Sequence, residues 1–219
     1  MEMKFPQAVA KPRLRGVLHE YAFFVSVACG AGLIAAASDA RARAAAAIYA
    51  GAVSALLGTS ALYHRVTWRP RARRWMRRLD HSMIFVMIAG TYTPVALLAL
   101  KGTLSQAILI ALWGGAAAGV VFKLLWIDAP KWVFAAVYVA LGMVGAAVVG
   151  ELPSAIGWLG ASGLIAGGAI YVAGAVVYAS GRPNPWPKVF GYHEIFHALV
   201  IVAAGLQYAV IAFAVLPRG

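Results

Sequence analysis

Charge is what this sequence has least of. Lys, Arg, Asp and Glu together make up 12% of its 219 residues, against about 25% in an ordinary soluble domain, and 63% of the chain is hydrophobic. That balance excludes a water-soluble globular domain. Acidic residues are scarcer still, seven against 19 Lys and Arg. Cysteine occurs once, as Cys29 in an apolar run, so no intrachain disulfide can form. Strand-like alternation of apolar and polar residues is missing, which argues against a transmembrane barrel. No internal repeat, low-complexity tail or second domain is evident.

What fills the chain is apolar runs long enough to cross a bilayer. Seven are expected, near 17–37, 44–64, 80–100, 104–124, 132–150, 156–178 and 193–215. Hydrocarbon satisfies no backbone N–H or C=O, so each run must be a helix. The expected fold is all-α: a seven-transmembrane-helix bundle over 17–216, preceded by a basic segment over 1–16. The first run is span-length and lacks a clear small-residue cleavage site, and it reads as an uncleaved helix rather than a secretory signal. Tryptophans at 126, 132, 158 and 186 fall beside helix ends, where indole prefers the interface; Trp113, mid-span, is the exception.

Orientation follows from counting basic residues. With the N-terminus cytoplasmic, 15 Lys and Arg face inside and four, Arg41, Arg43, Lys101 and Arg218, face outside. The C-terminus is then outside, in a multi-pass protein of the inner, cytoplasmic membrane. The net charge of +12, concentrated between Arg65 and Arg78, is explained by that topology and needs no nucleic-acid partner. Trp68 and Trp75, interleaved with the arginines, suit contact with anionic inner-leaflet lipid. Gly115 with Gly119 and Gly163 with Gly167, at fourfold spacing, predict close helix packing, and Pro94 predicts a bend toward the outer end of the third helix.

Against this apolar background the ionisable residues that enter the spans stand out, because charge at membrane depth is costly and marks function. His193 and His197 are four apart at the start of the seventh helix, which stacks their imidazoles on one face and suits a metal ion. His64 ends the second helix and Asp80 re-enters from the arginine loop, so all four share one membrane face. Each has a plainer reading: the histidines as interfacial side chains, Asp80 as the N-cap of the third helix, and Ser60, one turn before His64, as a serine bonded to its own backbone. His19, Glu20 and His81 enter from the same side and are taken as interfacial. His193-Glu194-Ile195-Phe196-His197 also satisfies HExxH, the zinc metalloprotease pattern with glutamate as general base, but no leucine-aspartate-glycine ligand motif follows it.

Four strings, Ser60-Ala61-Leu62-Tyr63-His64, Leu79-Asp80-His81-Ser82, Ala89-Gly90-Thr91-Tyr92-Thr93-Pro94 and Gly191-Tyr192-His193-Glu194-Ile195-Phe196-His197, resemble the hemolysin III family, the bacterial branch of the progestin and adiponectin receptor superfamily. The resemblance spans the second to seventh helices. It implies a cytoplasmic-side zinc ion bound by His64, His193 and His197, with Ser60 and Asp80 as the accompanying catalytic pair. Relatives in the wider superfamily resemble lipid amidases, with ceramide as a substrate for some, and others are implicated in membrane-lipid homeostasis; the family label implies cytolysis.

Three imidazole ligands leave zinc an open fourth position at which water is acidified and a carbonyl polarised. The expected activity is hydrolysis of a membrane-lipid amide or ester. Two other readings share the same ligands or label: a non-catalytic lipid sensor with structural zinc, and a cytolysin. An intramembrane metalloprotease is the fourth.

Overall fold

A computed structural model describes residues 11–218. Seven helices in it are long and apolar enough to span a membrane, and no strand occurs among the described residues. Their α-helical parts are α1 (Val17–Ala35), α2 (Ala40–Arg65), α3 (Pro70–Pro94), α4 (Gly102–Leu125), α5 (Lys131–Gly142), α6 (Leu152–Ser180) and α7 (Tyr192–Val210), and the third, fifth and seventh spans run on through π or 3-10 turns to Ala99, Val148 and Arg218. The basic segment expected over 1–16 lies partly outside the described residues.

Local chemistry sets the ends. Asp39 caps α2 by accepting from the Ala42 N–H at 2.7 Å. Gly181, at φ 67°, closes α6 in the left-handed conformation that favours glycine. The third helix differs from expectation: it begins at Pro70, ten residues before Asp80, because a proline at the first helical position loses no needed N–H and the Arg-rich stretch that follows is a good helix former. Most of the arginine loop is therefore three helical turns, and Asp80 is an interior residue of α3 rather than its cap. At the far end Pro94 does perturb the helix, which loosens into a π-turn over Val95–Ala99 before Leu100 turns extended. Thr91 and Thr93 hydroxyls bond back to the Met87 and Ala89 carbonyls just before it. Trp113 is accommodated mid-span by donating to Thr93 Oγ1 at 3.1 Å.

The helices pack in chain order around a ring that α1 closes against α7. Within it α2 and α3 are the most enclosed, with 50% and 56% of their span residues buried, and α3 also touches α4 and α5. Their centrality explains why His64 and Asp80 face protein rather than lipid. The fourfold glycines work as expected: a methyl on Gly119 would lie 2.4 Å from the Phe85 ring of α3, and one on Gly163 would lie 2.6 Å from Val210 of α7.

A buried histidine cluster at the basic end of the bundle

At the end of the bundle carrying the arginines, α2, α3 and α7 bring their ionisable residues together. His64, His193 and His197 are all buried, and one nitrogen from each lies within 4.8 Å of the others. His64 Nε2 and His193 Nε2 face each other at 3.2 Å. Tetrahedral zinc with Zn–N bonds near 2.0–2.1 Å would hold two imidazole nitrogens about 3.3 Å apart, so the donor set fits a single metal ion. The register of α7 does the rest, since four residues return His197 to the face of His193 one turn deeper.

Asp80 lies beside the triad, its Oδ2 3.9 Å from His64 Nε2 and 3.9 Å from His81 Nε2. Ser60, buried one turn before His64, lines the same cavity as Asp80 and acts on its carboxylate. The spacing of 3.9 Å is too long for a hydrogen bond.

Two residues taken as interfacial are not. His19 of α1 is buried and stacks on His197, ring centroids 3.8 Å apart and planes within 9°. Parallel rings at that separation cannot both aim an in-plane lone pair at one ion, so His19 braces His197 rather than adding a fourth ligand. Neither of its ring nitrogens has a partner in hydrogen-bond geometry. His81 is partly buried, its carbonyl accepting from Tyr138 Oη at 3.0 Å. Only Glu20 behaves as an interfacial group, paired with Arg65 in the open. The missed signal for His19 was its single-turn offset from a basic run, which reads equally as snorkelling.

Glu194 has its own task. Its Oε2 accepts from the Gly191 N–H at 2.8 Å, closing the first turn of α7, while Oε1 pairs with the Arg15 guanidinium. With both oxygens engaged away from the histidines, Glu194 is not disposed as the general base that an HExxH reading requires.

The N-terminal segment covers the cluster. Arg13 and Leu14 N–H groups bond to the Lys188 and Val189 carbonyls, and the Lys11 ammonium donates to the His64 carbonyl. Gly16 permits this approach: its φ is 82°, and a Cβ there would lie 2.6 Å from His64 Cβ.

Two cavities meet at the cluster. One, of about 410 Å³, runs away from the basic end, past Ser60, Asp80, His193 and His197 to Val149, Leu152 and Gln207, and is walled mostly by apolar side chains of α3, α5 and α6. The other, of about 290 Å³, opens on the basic face. His81, Tyr178 and His193 line both. The first is of a size usual for small-molecule sites, about 300–1,000 Å³.

Comparison with known proteins agrees with this architecture. Residues 7–208 match the model of the family described as "Haemolysin-III related". The chain is 32% identical to a Hemolysin-3 homolog of Bacillus subtilis (strain 168) over 155 residues, covering 71% of this chain and 70% of that protein. It is 30% identical to Hemolysin-3 of Bacillus cereus over 72% of this chain and 69% of that one. It is also 28% identical to human monocyte to macrophage differentiation factor over 74% of this chain and 66% of that protein. The chain belongs to the haemolysin-III-related family.

Proposed function

We propose that this haemolysin-III-family membrane protein is a zinc-dependent hydrolase of an amide or ester bond in a membrane lipid, acting at the cytoplasmic face of the inner membrane. The observation that carries this reading is the convergence of three buried imidazoles beside Asp80, with His193, His197, Ser60 and Asp80 on the wall of an apolar cavity of about 410 Å³. The excess of arginine at that end of the bundle supports a cytoplasmic N-terminus.

His64, His193 and His197 would hold the ion. Zinc so bound supplies a Lewis acid for a carbonyl and lowers the pKa of water beside it. Asp80 accepts the proton of the attacking water and returns it to the leaving nitrogen or oxygen, so that one C–N or C–O bond breaks as one C–O bond forms. Ser60 orients the Asp80 carboxylate, and the apolar cavity holds the acyl chain with its carbonyl at the histidines. A sensor with structural zinc uses the same ligands, but the Ser60–Asp80 pair beside them favours turnover. A pore is disfavoured because the cavity wall is apolar along most of its length.

Protein purified in detergent should carry about one zinc per chain and release fatty acid from members of a panel of lipid amides and esters. Asp80→Ala should abolish release with zinc retained. Zinc-loaded wild type that hydrolyses none of the panel, while still remodelling membrane lipid in cells, would overturn catalysis in favour of the sensor.

A further inference from the structure

The smaller cavity is not accounted for by hydrolysis alone. Six cationic side chains from four separate segments line it: Lys11 and Arg15 from the N-terminal segment, Arg73 and Arg77 from α3, Lys123 from α4 and Lys131 from α5. Two are matched, Arg15 by Glu194 and Arg77 by Asp128. Among the described residues the other four have no carboxylate within ion-pair distance.

Lys123 is the telling one. It is 1% exposed, with its ammonium 3.2 Å from the Ile127 carbonyl and 3.5 Å above the Phe134 ring. Asp128 and Asp80 act on it only from beyond ion-pair distance. A buried ammonium held by one carbonyl and a ring face is costly unless an anion completes its shell. Lys131, across the opening, bonds to Tyr192 Oη and lies 5.7 Å from the centre of the Tyr178 ring, which lies against His193. Lys11 is pushed below the usual lysine range, first by burial and then by Arg65, Arg73 and Arg15. Positive-inside topology accounts for arginines on the outer turns of α3 but not for cations converging on one concavity.

We propose that this vestibule is a binding site for a phosphate-bearing group, the headgroup of the lipid whose acyl chain enters the apolar cavity. Four uncompensated cations match a phosphomonoester, which carries about −1.5 to −2 at neutral pH, better than a singly charged carboxylate. Because His81, Tyr178 and His193 form the wall common to both cavities, an amphiphile spanning them has its polar–apolar junction at the histidine cluster. The inference rests on the lipid-hydrolase reading for the direction of the tail, while phosphate recognition stands apart from turnover.

The test measures equilibrium binding in a non-ionic detergent and phosphate-free buffer, on an Asp80→Asn background so that hydrolysis does not intrude. The probes are a monoacylglycerol 3-phosphate, the matching uncharged monoacylglycerol, and inorganic phosphate. The phosphate lipid should bind more tightly than the uncharged one. Lys131→Gln and Arg73→Gln, both at the exposed rim, and the buried Lys123→Met should each weaken it by about tenfold or more. The uncharged lipid should be unaffected, as should the phosphate lipid in Lys101→Gln at the opposite end. Weak binding of inorganic phosphate supports a lipid headgroup as the source; binding as tight as the phosphate lipid supports the same site with a soluble phosphate. Equal affinity for charged and uncharged lipid, or equal losses in Lys101→Gln and Lys131→Gln, would overturn the site. Tight phosphate-lipid binding by zinc-loaded wild type that hydrolyses neither it nor any lipid of the panel would sink the hydrolase and leave the site standing.

Discussion

Replacing Glu194 with Gln separates two chemistries that share the string HExxH. Glu194 is 1% exposed and Arg15, its partner, has a side chain 21% exposed, so the pair is largely shielded from water. Glutamine is nearly isosteric and can keep one acceptor toward the Gly191 N–H, but it removes the charge facing the Arg15 guanidinium. Hydrogen bonds to charged groups contribute about 1.5–3 kcal/mol, and for a chain of this length each kcal/mol moves the melting temperature by about 2–4 °C. Glu194→Gln should therefore melt about 3–12 °C below wild type in detergent. Combining it with Arg15→Met should cost less than the sum of the two single changes, since both act on one contact. Zinc content should be unchanged, and turnover per folded molecule should fall by no more than a few-fold, an order-of-magnitude bound set by its lack of contact with the reacting groups. If Glu194→Gln melted with wild type and lost turnover by about a hundredfold or more, as removal of a general base does, the capping assignment would be wrong and the metalloprotease reading would return.

His64→Ala should lower zinc content well below one per chain, measured by elemental analysis, because one of three protein ligands is gone. His19→Ala should weaken zinc affinity by about 10–100-fold by freeing the His197 ring, and His19→Phe should restore it; a deficit that persisted in the phenylalanine variant would mean that an imidazole nitrogen, not the stack, matters. Gly119→Ala should lower thermal stability by up to about 2 kcal/mol, the overpacking cost of about 1–3 kcal/mol less about 1 kcal/mol of helix propensity, because the added methyl meets the buried Phe85 ring. Gly114→Ala, with nothing within 4 Å, should be neutral or stabilising in the same melt.

Span number, helical class and the pairing of His193 with His197 were legible in the sequence because each depends on one stretch of chain: the length of an apolar run, or two residues one turn apart. The approach of His64 to that pair was inferable only through shared membrane depth and family resemblance, since depth constrains one coordinate and leaves the other two open. Helix packing supplied those two, by enclosing α2 and α3 more than the other spans. The same packing reassigned single residues whose local signals were ambiguous. Asp80 reads as a cap beside an arginine loop until Pro70 is seen to start the helix three turns earlier, and His19 reads as interfacial until α1 closes on α7 and lays it against His197. Composition alone determined that this chain lives in a membrane, because no folding of a 63% hydrophobic, 12% charged sequence can bury that surface from water. Which ionisable groups meet, and that six lysines and arginines gather around one opening instead of spreading over a face, was decided by tertiary structure, because those contacts join residues far apart in the chain and carry no periodic trace within it.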